Sequence, residues 1–184
     1  MSANWKETIE AVIRSGDPEA LRRLARTRAA RVIRYLNSRL YTDDEEEKWR
    51  TVRAFGIVAG IAAGVDAERV ADLLRRFAWA LNDESGAVPY GIPEAMGEIL
   101  ATRPEFQRAF LPVLCSLLTE EGMSQTGPVE RGAIWAVGRV GPPAAEHSRE
   151  VVAAVRAAAD SHPDAVTRGV AAQALERITG TSQS

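Results

Sequence analysis

The sequence predicts an all-α chain folded as an α-α superhelix of about four helix pairs. Three observations carry that expectation. The composition is 46% hydrophobic and 26% charged but only 6% aromatic, dominated by Ala, Arg and Glu with few β-branched runs. Apolar residues recur with a helical period of about 3.6 in one segment after another. Finally, four segments align without gaps: Arg53–Val58, Glu94–Ile99, Trp135–Val140 and Gln173–Ile178. Within them Gly56, Gly97, Gly138 and Glu176 stand in register at offsets of 41, 41 and 38. A period of roughly 40 residues is that of two-helix repeats, which bury their apolar faces against their neighbours.

The elements follow in order. A short helix over Asn4–Arg14 caps the first repeat. The first helix of each pair carries an apolar stripe. Glu19–Leu40 places Leu21, Leu24, Ala25, Val32, Ile33 and Leu36 on it, and Asp66–Leu81 places Val70, Leu73, Leu74, Phe77 and Leu81. Glu105–Leu118 contributes Phe106, Phe110, Val113, Leu114 and Leu117, with Pro112 expected to kink this helix or delay its start. Glu146–Ala159 contributes Val151, Val152, Val155 and Ala159. The second helices are the aligned segments. Asp43-Asp44 and the acids Glu45–Glu47 suit the start of the first of them. Pro93, Pro128 and Pro163 lie at or before the starts of the others. The chain thus reads as one domain over 1–184, with repeats at about 17–63, 66–103, 104–141 and 143–180 behind a cap at 1–16. The tail Gly180–Ser184 is expected to fray. Ala54, Ala95, Ala136 and Ala174 form a column that is small in every repeat. Trp79 falls opposite its helix's apolar stripe and is expected to be covered by residues 82–91.

Several function classes lose support. A net charge of −2 argues against a polyanion binder working by bulk electrostatics. Cys115 is the sole cysteine, so no internal disulfide forms, and no Cys/His spacing suggests zinc. The start MSANWKETIEAV lacks a signal-peptide pattern, and no apolar run approaches the ~20 residues of a membrane span. The expectation is a soluble cytoplasmic protein. No phosphate loop, nucleophile triad or cofactor motif is visible, and His147 and His162 lie far in sequence from the acidic residues. No cofactor or metal is expected.

The repeat alignment converts into a surface. Val52, Phe55, Val58, Ala59 and Ala62 share the core side of their helix, so Trp49, Arg53, Gly56, Ile57 and Gly60 face the other way. Equivalent positions hold Tyr90, Glu94, Gly97 and Glu98, then Arg131, Trp135, Gly138 and Arg139. Second helices line the concave side of such superhelices. A groove is therefore expected over Trp49, Arg53, Tyr90, Glu94, Glu98, Arg131, Trp135 and Arg139. Its glycines either let helices approach closely or clear room for a ligand. Glu94 and Glu98, one helical turn apart, both point into the groove. A carboxylate pair can do acid–base work or hold a hard cation. Pairing with Arg53 and with Arg131 or Arg139 of adjacent repeats explains the same charges without chemistry, and Arg53–Glu94 is the ion pair expected first. Asp83 and Glu84 form an acidic loop entering this groove. Residues 1–40 hold nine Lys/Arg against four acids, with Arg23, Arg26 and Arg34 on a solvent-facing stripe.

The stretches VTRGVAAQALERITG and GPVERGAIWAVGRVG resemble the second helices of HEAT-like repeats. The resemblance implies that the helix-start Arg168 reaches an acid at a neighbouring turn, which Asp164 matches. The run WALNDESGAVPYGIPEAMGEIL, with KWRTVRAFG before it and IWAVGRV after it, resembles a small bacterial HEAT-like family over most of the chain. Tyr90 stands where a tryptophan is expected, which leaves the role of its ring open. The resemblance implies the fold and no activity. The expected function is a non-catalytic binding module whose groove takes a protein or peptide partner, since a mixed Arg/Glu/aromatic lining suits that task. A second class stays open on the same scaffold: a DNA-glycosylase-like or other nucleic-acid-binding protein, or a bilin-lyase-like enzyme. Net positive groove charge with aromatics would favour nucleic acid, and balanced charge a protein.

Overall fold

Ten α-helices and one 3-10 turn account for the secondary structure of the computed structural model, which describes residues 4–82, 90–120 and 127–180; no strand occurs among them. In chain order the elements are α1 (Trp5–Ser15), α2 (Pro18–Arg39), α3 (Glu45–Ala63), α4 (Ala67–Leu81), α5 (Ile92–Thr102), the 3-10 turn Pro104–Phe106, α6 (Gln107–Thr119), α7 (Pro128–Val140), α8 (Pro142–His147), α9 (Arg149–Ser161) and α10 (Ala165–Thr179). The fold class is all-α.

Local chemistry places the boundaries. Asp17, Asp44, Asp66 and Asp164 each accept first-turn amides of α2, α3, α4 and α10, satisfying donors that have no helical partner. Pro93 and Pro128 sit in the first turns of α5 and α7, where a missing N–H costs nothing. The third first-helix runs through Pro112 as α6. The last one is split: Gly141 at φ 81 and the two prolines after it start α8, and Ser148 caps a fresh start for α9.

Helices α3, α5, α7 and α10 lie side by side, each packed on the next. On the other side α4 packs on α6 and α6 on α9, while α2 and α1 pack against α3. Val52, Phe55, Val58 and Ala59 of α3 are fully buried, and the Phe55 ring meets the Phe77 edge at 5.6 Å. The alanine column is buried throughout. The glycines serve close approach: a Cβ on Gly97 would lie 2.7 Å from Ala136 Cα, and one on Gly138 would lie 2.6 Å from Ala174 Cβ. Backbone fills the space a groove would need, so the packing alternative holds at these two positions. In α5 every residue from Ile92 to Leu100 is buried.

One feature departs from expectation. Helix α2 leaves helical geometry at Arg28 (φ −143°, ψ 30°). Immediately before it the Thr27 hydroxyl donates to the Leu24 carbonyl at 3.2 Å, a back-bond of the kind that bends helices. Trp79 is 73% exposed, since its position opposite the Leu73–Phe77 stripe turns it away from the core, and residues 83–89 of its expected cover lie outside the described residues. No helix among the described residues is long and apolar enough to cross a membrane.

Candidate functional site

Helix α5 lies between α3 and α7 and carries Glu94 and Glu98 one turn apart. Glu94 lines no open groove and Glu98 only edges one: Glu94 is 2% exposed and Glu98 9%. Carboxylates buried this deeply need cations, since desolvation of an unpaired charge costs several kcal/mol. Glu98 has a full partner. Arg139 of α7 donates from Nε to Oε1 at 2.9 Å and from Nη2 to Oε2 at 3.3 Å, the bidentate geometry that arginine favours.

Glu94 is served less well. Lys48 Nζ lies 3.5 Å from its Oε1, and Oε2 has no hydrogen-bond partner among the described residues. Lys48 is itself buried and shared, since its Nζ also donates to Glu45 Oε1 at 2.9 Å. The expected Arg53–Glu94 pair is therefore replaced by Lys48–Glu94. Positions 48 and 53 differ by roughly 140° around a helix, and the side chain turned toward α5 is Lys48. Arg53 is exposed and has no ion pair among the described residues. Burial pushes the Glu94 carboxyl up to about 7, and the Lys48 charge opposes that only in part. Opposite it, α7 carries Gly132, where a Cβ would lie 2.6 Å from Glu94 Oε2. The missing side chain makes room for the carboxylate.

Trp49 of α3 and Trp135 of α7 meet with ring centroids 4.8 Å apart and planes tilted by 58°. Both are half-buried. Trp49 Nε1 donates to Glu45 Oε2 at 3.1 Å, and Lys48 Nζ lies 5.1 Å from the Trp49 ring centroid. Tyr90, 48% exposed, stands at the turn before α5. Arg131 points along the row to the next helix, its Nη1 lying 3.4 Å from Asp164 Oδ2. This corrects the expected Asp164–Arg168 pair. Arg168 Nη1 instead donates to the carbonyls of His162 and Pro163, at 2.6 and 3.1 Å. Asp164 accepts from the Thr167 hydroxyl and from the amides of Thr167 and Val166, and these donors hold its carboxyl down at about 2. Asp83 and Glu84 lie outside the described residues.

Beside the Glu98–Arg139 pair opens a cleft of about 420 Å³, lined by Arg22, Arg53, Glu98, Arg103 and Arg139 together with Ile57 and Ile61. Arg103 is anchored, donating to the Gly60 carbonyl at 3.1 Å and pairing with Glu105. No catalytic set assembles here. Glu98 is held by an arginine, and Glu94 faces a lysine and a glycine. The Cys115 thiol is buried and pushed up to about 12, too high for a thiolate nucleophile. His162 faces Glu130 at 3.3 Å, in the row between α7 and α10. Among the described residues no three His, Cys, Asp or Glu side chains cluster as a metal would require.

Sequence reasoning missed Lys48, Gly132, Arg22 and Arg103. One signal was available for Gly132, because Gly91 and Gly132 repeat the offset of 41. Arg22 and Arg103 lie outside the aligned second helices, so no alignment of those helices reaches them. Compared with family models, with curated proteins and with solved structures, the chain finds no match in any of the three.

Proposed function

We propose that the chain is a HEAT-like α-solenoid acting as a non-catalytic binding module, and that the face formed by α3, α5 and α7 receives a peptide segment of a protein partner. The observation that carries this reading is Arg53: an exposed guanidinium without an ion pair among the described residues, on the wall of a cleft with half-buried Ile57 and Ile61. Arginine beside apolar surface is the composition of interface hot spots. Glu98 is paired with Arg139 and Glu94 faces Lys48 within the scaffold, which supports a structural role for them. The side-by-side row α3, α5, α7, α10 and the Arg131–Asp164 link between adjacent members support the solenoid reading.

The test is selection of peptides from a random display library against the folded chain. The reading expects an enriched peptide family that binds at least about tenfold more weakly to Arg53→Ala. The same family should bind normally to Arg156→Ala, an exposed arginine of α9. Enriched peptides indifferent to both Arg53→Ala and Trp135→Ala would refute it.

A further inference from the structure

We infer that the segment bound is acidic and amphipathic, and that it runs from the Arg53 cleft onto the broken helix α2. This rests on the binding reading above and names the partner's chemistry. A second cleft, of about 550 Å³, is lined by residues 25–31 of α2 and by Ile61, Ala62, Val65, Asp66 and Arg69. Ile61 lines both clefts, so the two adjoin there, and we read them as one track.

The break at Arg28 creates the second half of that track. In a straight helix, residues two apart point to different faces. Around the non-helical backbone at Arg28 every residue from Ala25 to Arg31 lines one cleft, Arg26, Arg28 and Arg31 among them. Charge pairing then sorts the arginines along the track. Arg22 pairs with Glu19, Arg69 with Asp66, Arg103 with Glu105 and Arg139 with Glu98. Arg26, Arg28, Arg31 and Arg53 are exposed and have no carboxylate within ion-pair distance among the described residues. Four uncompensated positive charges thus gather on one face of a chain whose net charge is −2. Planar guanidinium groups match carboxylates in two-point geometry. Between them lie Ile57, Ile61 and the 87%-exposed Val65, which ask for an apolar side chain in the partner. Single-stranded nucleic acid is the poorer fit. It binds by stacking bases on aromatic rings, none of the described aromatic side chains lines either cleft, and Trp49 and Trp135 pack against one another.

The experiment uses the full chain and three short fluorescein-labelled peptides with identical leucine positions, whose remaining positions are glutamate, glutamine or lysine. A labelled single-stranded DNA and a duplex DNA complete the set. Fluorescence anisotropy should show the glutamate peptide binding most tightly, and more weakly as salt screens the charges. The double variant Arg28→Glu/Arg31→Glu should weaken that binding about tenfold or more. Arg26→Glu/Arg53→Glu, which leaves the kink residue alone, should do the same, with unchanged circular dichroism in both. Equal binding of the three peptides, or acidic binding indifferent to both double variants, overturns the inference. So does DNA binding more tightly than the glutamate peptide and failing in the same variants. A glutamine peptide that is lost with Trp135→Ala but not with the α2 reversals keeps the binding face and removes the acidic track. Absence of binding by every peptide removes both.

Discussion

Replacing Glu94 by glutamine should change how stability depends on pH. Glu94 is 2% exposed, one of its oxygens is unpartnered, and its lysine is shared with Glu45. Burial moves its carboxyl from an ordinary 4.5 to about 7. Below 4.5 both the folded and the unfolded chain hold the proton, and Glu94 costs nothing. As pH rises from there, the unfolded chain releases the proton while the folded chain keeps it, so stability falls. Above 7 both are ionised and the full cost is in place. The gap corresponds to about 3 kcal/mol, of which about 2–3 kcal/mol is lost between about pH 5 and about pH 8. Glutamine keeps the shape and cannot ionise.

Urea unfolding of both proteins at those two pH values measures the difference. The wild type should lose about 2–3 kcal/mol more than Glu94→Gln on going to the higher pH. The subtraction removes the histidines and every other group common to both. The acids whose carboxyls are held low, Asp164 and Glu45, act in the opposite direction and at lower pH. Parallel stability profiles for the two proteins would refute the reasoning, because they would mean that Glu94 keeps its ordinary ionisation when folded.

Three further predictions test the same seam. Lys48→Met removes the charge that opposes protonation of Glu94, so the fall in stability should begin at the same pH, continue to higher pH and be larger in the same urea series. Ala136→Leu should cost about 1–3 kcal/mol, read as a lower urea midpoint, because Ala136 already fills the space over Gly97 and is fully buried. Trp135→Ala should lower the melting temperature and cost about 2 kcal/mol, less than the ~3–5 of a fully buried tryptophan, because the ring is half-buried and packs against Trp49; an unchanged melt would show that the pair contributes only to a surface.

The helices were legible because their signals are local. Stripes such as Val70, Leu73, Leu74 and Phe77 repeat within a few residues, and Asp44 or Asp164 marks a start by its own hydrogen bonds. The small column was legible too, since four alanines in register imply helices in close contact. The kink in α2 was not, because ARTRAAR contains neither proline nor glycine and a threonine back-bond leaves no distinctive pattern.

The site was harder for a different reason. Repeat alignment assigns a residue to a column, but charge partners are chosen by the last few tens of degrees around a helix. Lys48 and Arg53 are both basic and both on α3, and only packing shows which one turns inward. That choice decides the character of the whole face. Reading along the columns, Arg53 and Arg139 offset Glu94 and Glu98, and the lining looks balanced. In the folded chain Lys48 takes Glu94 below the surface and Arg139 is spent on Glu98, so Arg53 is left over. A balanced composition thus becomes a positive surface by burying its acids, and Arg26, Arg28 and Arg31 extend that surface along α2. Net charge by itself carries no information about this: the compensating acids lie elsewhere on the chain, as Glu7, Glu68 and Glu150 do on α1, α4 and α9.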